Sequence, residues 1–536
     1  MINHHCTTMF SLSFLQFFSL IFVLLYLFSL LRILIMSTSS AVTTATTTNN
    51  EHKSYPFIGS MISFNRNSHR LIHWFTHLLS VSSSQTIVLN LFGAKNQMIV
   101  TANPDNIEHM LKTKFQNYPK GKPFTDILGD FLGTGIFNVD GELWSTQRKL
   151  ASHEFSTKSL REFVVSVLEE EITTRLVPLL EIAAQKDEVL DMQDVLRRLA
   201  FDTICKISLG WDPCCLDYNR SVPPLAAAFD AAAGASAMRG VSLASWVWKA
   251  KRFLNVGSER KLRDAVGVVH RSVNEIIRER RQQMDGSESQ RDLLSRFISA
   301  GHDDEMVRDM VISFLMAGRD TTSAAMTWLF WLLTWHPKIE KDLLKEVNSA
   351  VDNHGTTQKV PNMSHEPKVV GLDQLSFNFD DLKKMDYLKA CLCESMRLYP
   401  PVVWDSKHAG EDDVLPDGTP VYKGNRVMYF PYGMGRMEKL WGKDCLEFRP
   451  DRWFSEPGVF KMENPYKFPV FQAGPRVCLG KEMAFIQMKY VMASVLKRFE
   501  LVPVSLDKPV FVPMLTAHMV GGLKVRVRKR SGACEL

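Results

Sequence analysis

No lysine or arginine precedes Arg32, and no side chain from Phe10 to Leu31 carries a charge. The missing basic n-region and the length of the apolar run argue against a cleaved signal peptide and for a retained anchor. About 20 apolar residues cross a bilayer core as a helix, so the run is long enough. Cysteine is scarce: nine, an odd number, are scattered over 536 residues, which excludes a disulfide framework. Neither Cys214–Cys215 nor Cys391-x-Cys393 has the paired spacing of a zinc site. No internal repeat is present, and no flavin-like or dinucleotide-binding stretch. The net charge of +6 is too weak and too scattered for nucleic acid. It suits docking to an acidic protein or an anionic membrane surface. The densest basic run, Lys524 to Arg530, reads as a solvated strand edge and tail. With 45% hydrophobic and 23% charged residues, a disordered or collagenous chain is excluded.

Length alone allows two to four domains, but the patterning suggests one folded body behind a leader. Residues 1–36 read as a transmembrane signal anchor. Residues 37–54, rich in Ser, Thr and Ala, read as a flexible linker, and 55–536 as the catalytic body. Arg32, Lys53, Arg66 and Arg70 all follow the span, which puts the body on the cytosolic side. The sequons at Asn219 and Asn362 are then expected to be unglycosylated. Thr86 to Leu91 and Gln97 to Thr101 read as a hairpin. Helical patterns dominate from Pro104 to about Leu398. β-Prone stretches follow from Val402 and from Leu501 to Val527. Val351 to Gly371 and Gln283 to Gln290 read as surface loops. The expected fold class is mainly α with small β-sheets.

The chemistry concentrates in Phe471-Gln-Ala-Gly474-Pro-Arg476-Val-Cys478-Leu-Gly480, just before a helical run starting near Lys481. A lone cysteine in a Gly-Pro turn is ordinarily structural. In this setting each residue fits a loop that presents a thiolate to haem iron. Such a ligand pushes electron density onto the metal and favours O–O cleavage. The helix start after Cys478 is expected to lower its thiol pKa. Gly474 and Gly480 are expected to let backbone approach the sulfur and the macrocycle, with N–H groups bonding the sulfur. Phe471 shields it, and Arg476 is placed to pair with a haem propionate.

Trp144 and Arg148 lie four apart on one helix face, two donors suited to a propionate. Met306 to Trp335 reads as one long buried helix. A second membrane span is disfavoured there, because Arg319 and Asp320 sit mid-run. At its centre, Ala317-Gly318-Arg319-Asp320-Thr321-Thr322 combines small residues, which leave room for dioxygen, with an acid–hydroxyl pair. Gly318 and the two threonine hydroxyls predict a local bulge able to hold water. Asp320 and Thr321 are the candidate proton relay that O–O heterolysis requires.

The ligand loop resembles that of the cytochrome P450 superfamily, and the likeness runs from about Tyr55 to Val527. It implies the cytochrome P450 fold, heme b (iron-protoporphyrin IX) with Cys478 as axial thiolate, and Trp144 and Arg148 as haem contacts. It implies a structural network of Glu394, Arg397 and Arg452. Trp404 stands where many members carry Arg or His, which removes a further propionate contact from that strand. Asn117-Tyr-Pro-Lys-Gly-Lys-Pro-Phe124, Val403-Trp-Asp-Ser-Lys-His408, Tyr432-Gly-Met-Gly-Arg-Met437 and Leu515-Thr-Ala-His-Met-Val-Gly-Gly522 resemble plant family 94, most of all its subfamily B. That likeness implies hydroxylation at the terminal carbon of a carboxylate-bearing chain: jasmonoyl-isoleucine at carbon 12, or, for the broader family, fatty acids. Ala317, Met519 and Val520 are the candidate substrate contacts, with Lys120 and Lys122 attracting the carboxylate as against lying in a solvated loop. The expected partners are dioxygen and a separate NADPH-dependent flavoprotein reductase, which Lys149, Lys467 and Lys481 are placed to dock. The expected location is the endoplasmic reticulum membrane, single-pass, with the catalytic domain facing the cytosol. A haem-thiolate isomerase or lyase not using dioxygen is the rival enzyme class; such relatives tend to lose the acid–threonine pair. A non-enzymatic haem-binding membrane protein is the other rival.

Overall fold

Asp303 starts the helix that organises the molecule. Its carboxylate accepts the Met306 N–H, and the helix runs Asp304–Thr334. The start lies two residues before the one read from the apolar pattern, because Asp304 and Glu305 in the first turn complement the helix dipole. Its 31 residues span roughly 45 Å. The structure, a computed structural model, describes residues 59–90, 97–218, 220–242, 245–284, 292–355 and 377–530. The anchor (1–36), the linker (37–54) and both sequons lie outside them, as do most of the two expected surface loops. The chain divides into Met1–Lys53 and Ser54–Leu536, and only the second unit is described here. Among the described residues no helix is long and apolar enough to cross a membrane.

The central helix packs against Met192–Leu209, Asp386–Leu398 and Lys481–Arg498. Mainly helical architecture with small sheets is what the patterning predicts. Thr86–Asn90 and Gln97–Thr101 pair antiparallel, and the Thr86 and Thr101 hydroxyls bond across the pair at 2.8 Å. Gln97–Thr101 continues parallel to Arg426–Tyr429, which pairs antiparallel with Asp405–His408, completing a four-stranded sheet. Near the C-terminus the order is Phe499–Pro503, Lys524–Lys529, Val189–Asp191. The basic run is therefore the middle strand, not an edge. Val525 and Val527 point into the core, while Lys524 and Arg526 pair with Asp191 and Asp187. A two-stranded ribbon, Phe511–Val512 with His518–Met519, lies between.

Behind the ligand loop, Glu394 is wholly buried with Arg397 and Arg452 on it at 2.8 Å each. It also accepts the Arg449 N–H at 2.9 Å and the Trp453 indole at 3.0 Å. This is the expected Glu-Arg-Arg network.

Candidate active site

Two short turns, Pro469–Phe471 and Gly474–Arg476, fold the ligand loop back so that the Cys478 N–H donates to the Phe471 carbonyl at 2.8 Å. The Gly480 N–H donates to the Cys478 sulfur. Cys478 is solvent-accessible yet surrounded by protein, so its sulfur lines an internal cavity. Burial pushes this thiol above its ordinary value; the Gly480 N–H, Arg148 and Lys481 pull the other way and lose. The expectation of a lowered thiol is thus corrected: desolvation outweighs the Gly480 N–H and the two cations, and a metal is what would hold the sulfur as thiolate. Phe471 packs on Phe485 at 5.2 Å, with the Lys481 ammonium 5.5 Å from its ring centroid.

Gly474 has φ +65°, and a Cβ there would lie 2.0 Å from the Leu111 carbonyl oxygen. The close approach that demands glycine is therefore to backbone of a neighbouring turn, not to the sulfur. At Gly480 a Cβ would meet only Phe155, at 3.9 Å. Gly474→Ala combines the clash with a left-handed backbone that costs about 1–2 kcal/mol by itself. The expected result is a lower melting temperature and reduced haem retention, with Gly480→Ala milder in the melt.

Cations collect beside the sulfur. Arg476 pairs with Asp140 at 2.6 Å, donates to the Val139 carbonyl at 3.0 Å, and lies 4.4 Å from the Trp144 ring. Arg148, half-buried, feels the Cys478 sulfur, and no carboxylate among the described residues pairs with it. Asp405 takes Lys407 at 2.7 Å, Lys120 at 3.5 Å and the Tyr429 hydroxyl at 3.1 Å. Despite burial, Lys120 and Lys407 hold Asp405 well below the usual carboxylate range. Arg426 is half-buried, with its Nε shielded from water and unpartnered among the described residues, and desolvation pushes its pKa down. Among the described residues, Lys120, Arg148, Lys407, Arg426 and Arg476 thus face only the carboxylates Asp140 and Asp405. That surplus of positive charge, with an orphaned guanidinium nitrogen and a cavity-facing sulfur, fits a dianionic metalloporphyrin. Trp404 lies elsewhere, stacked 6.2 Å from Phe430. His408, four residues on, is the aromatic base of that strand nearest the cluster: its Nδ1 bonds the Lys120 carbonyl at 2.6 Å.

The central helix is regular α throughout Ala317 to Thr322, so the predicted bulge is absent. The Thr321 hydroxyl donates to the Ala317 carbonyl at 2.6 Å, and Thr322 to Gly318 at 2.8 Å. These back-bonds add to the i−4 carbonyls without breaking the ladder. Gly318 does not open space for dioxygen: a Cβ there would meet Ile204 Cδ1 at 2.6 Å. The deeply buried charge is Arg319, whereas Asp320 is partly exposed. Asp230 takes Arg319 through both oxygens (2.6 and 3.1 Å) and Arg197 at 2.7 Å; Arg197 reaches Asp320 at 3.4 Å. Sequence reasoning missed Arg197 and Asp230, which no spacing connects to Asp320.

Met519 is buried, and Gln193 clasps its backbone on both sides at 2.8 and 2.9 Å. Val520 is about half exposed. Lys120 is buried, 4.2 Å from the Phe124 ring centroid, and burial lowers its pKa to about 8. It therefore lies in no solvated loop. Lys122 does face solvent, paired with Asp126 at 2.9 Å.

A family model described as cytochrome P450 matches residues 51–521. Cytochrome P450 94B1 of Arabidopsis thaliana is 59% identical over 487 residues, covering 89% of this chain and 91% of that protein. Cytochrome P450 94B3 of the same plant is 58% identical over 516 residues, covering 95% and 97%. Cytochrome P450 94A1 of Vicia sativa is 44% identical over 488 residues, covering 89% and 90%. With that domain spanning most of its length, and subfamily B relatives ahead of subfamily A by more than ten points of identity, the chain belongs to the cytochrome P450 family, in family 94, subfamily B.

Proposed function

We propose that this cytochrome P450 monooxygenase hydroxylates the terminal carbon of a carboxylate-bearing aliphatic chain, with jasmonoyl-isoleucine, taken at carbon 12, as its substrate. The observation that carries the reading is the near full-length likeness to subfamily B. Cys478 would hold the iron, with Trp144, Arg148 and Arg476 about the propionates and Phe471, Gly474 and Gly480 shaping the loop. The bound haem supplies dioxygen activation. Asp320 and the Thr321 hydroxyl would hold and pass protons from the side of the central helix, with Arg197 and Asp230 fixing the acid. A primary C–H is stronger than its secondary neighbours, so geometry must present only the chain end. Ala317, Met519 and Val520 would narrow that approach, and Lys122, the outward-facing cation, would attract the carboxylate. Electrons would come from NADPH through a separate flavoprotein reductase docking near Lys149, Lys467 and Lys481. The apolar leader would anchor the protein in the endoplasmic reticulum membrane, catalytic domain to the cytosol.

The test is expression in microsomes with a reductase, offering jasmonoyl-isoleucine and several fatty acids in parallel, with product positions read by mass spectrometry. A fatty-acid-only profile would move the assignment to an ω-hydroxylase. Turnover without NADPH would replace it with an isomerase or lyase. Thr321→Ala is expected to keep haem bound and NADPH consumed, while product falls by at least about tenfold and hydrogen peroxide rises; general acid–base groups typically contribute 10²–10⁴-fold. Normal coupling in that variant removes the proton role.

A further inference from the structure

A cavity of about 660 Å³ shares no lining residue with the cation cluster beside Cys478. It lies where the end of the central helix (Trp331, Trp335, His336), the end of the helix Asp386–Leu398 and the segment Leu446 to Phe448 meet Leu506 and Lys508. Its size is that of a small-molecule site. Two features on its wall stand out physically.

The first is Arg436. Its side chain is half-buried, with the guanidinium 3.7 Å from the Tyr432 ring centroid and 5.2 Å from that of Tyr399. It donates to the Tyr432 carbonyl at 3.2 Å and to the Tyr399 hydroxyl. No carboxylate among the described residues pairs with it, although a guanidinium carries five donors. Lys508, exposed at the same mouth, is likewise without a carboxylate among the described residues. Burial, then the fields of Arg436 and Lys508, push nearby His73 below its ordinary value. The one acid on the wall is Glu447, which is exposed. His336 is held by its Nδ1 bond to the Leu332 carbonyl at 2.7 Å. The C-terminal ends of two helices also face the cavity; their dipoles favour the positive charge of Arg436 but supply no carboxylate to pair with it.

The second is the rim. Trp335, Leu446 and Leu506, on three separate elements, are 46%, 70% and 67% exposed around one opening. Single exposed apolar side chains are ordinary, but several converging on a cavity mark a contact site.

We propose that this cavity binds a small amphipathic organic anion, its carboxylate or sulfonate on Arg436 and Lys508 and its apolar body between Trp331, Trp335, Leu446 and Leu506. A bidentate oxyanion would complete the guanidinium's bonds in a half-dry setting, and the rim would lose water. The occupant is a free small molecule, so neither the haem cavity nor its reactants are involved.

The test uses the full-length holoenzyme with an azole saturating the iron, so that the haem cavity is filled. Anilinonaphthalene sulfonate is titrated by fluorescence, alongside its uncharged counterpart phenylnaphthylamine. The sulfonate is expected to bind saturably and more tightly than the neutral probe. Lys508→Glu and Arg436→Gln should each weaken it about tenfold, which is 1.4 kcal/mol, and barely change the neutral probe. Leu506→Ser should weaken both probes alike. Lys508 and Leu506 are exposed, so those variants report even if Arg436→Gln fails to fold. Equal affinity of the two probes, loss of sulfonate binding on adding the azole, or wild-type affinity in Lys508→Glu would each overturn the proposal.

Discussion

Cys478→Ala is expected to abolish hydroxylation and to erase the thiolate-type haem spectrum, while far-ultraviolet circular dichroism stays near that of the parent. The sulfur is the one strong iron ligand the loop offers. Among the described residues no group of three or more His, Cys, Asp or Glu side chains is placed to hold a metal ion. The backbone bonds that shape the loop, Cys478 N–H to Phe471 carbonyl and the short turns before it, do not involve the sulfur, so the fold survives the change. The cation cluster would still attract propionates, so some haem remains associated. It would lack the electron donation that favours O–O cleavage. Rates should fall to background, a loss on the order of a millionfold or more for a reaction of this difficulty. Cys478→Ser tests the same point with a ligand of similar size. An unchanged spectrum in either variant would place the axial ligand elsewhere.

Glu394→Ala should produce the largest loss of stability of any single change considered. The wholly buried carboxylate takes Nε and one terminal nitrogen of the Arg397 guanidinium, Arg452, the Arg449 N–H and the Trp453 indole. Removing it leaves Arg397 charged and wholly buried, although Arg397 keeps the carbonyls of Gly435, Cys445 and Glu447. Breaking a buried ion pair from one side typically costs about 3–5 kcal/mol. Total stability is about 5–15 kcal/mol, so the variant sits at the edge of folding. Glu394→Gln should be milder, because it preserves shape and part of the bonding. The damage should also reach the haem: Trp453 packs 4.8 Å from Phe468, which leads into the turn Pro469–Phe471. Thermal melts and haem retention are therefore expected to fall together. A melting temperature close to the parent's would deny the network its bracing role.

What could be read from the sequence was local. The hairpin, the long helix and the ligand loop announce themselves through alternation, apolar period and turn residues within windows of thirty residues or fewer. Glu394 and Arg397 are three apart on one helix. What could not be read depends on distant partners. Val189–Asp191 is a strand only because Lys524–Lys529 lies beside it. Lys120 and Lys122 look alike in Lys-Gly-Lys, yet the fold buries one against Asp405 and leaves the other in water. Arg319 looks like the counterion of Asp320, and its close partner is Asp230, on the helix Pro224–Val241. The residues of the ligand loop were legible, but the reason for Gly474 was not. It resides in a carbonyl more than three hundred residues earlier.

The contact of Gly318 with Ile204 has a practical corollary for redesign. Two helices that approach until a single hydrogen fills the gap are keyed to one sliding register, as close-packed interiors resist gradual deformation. The backbone that carries Ala317 and Thr321 then behaves as an anvil, fixed in place whatever is pressed against it. Broadening or retuning the range of molecules accepted should come from swaps around Ala517 to Val520, where the ribbon ends and Val520 already meets solvent. Libraries at Gly318 itself should return mostly destabilised protein.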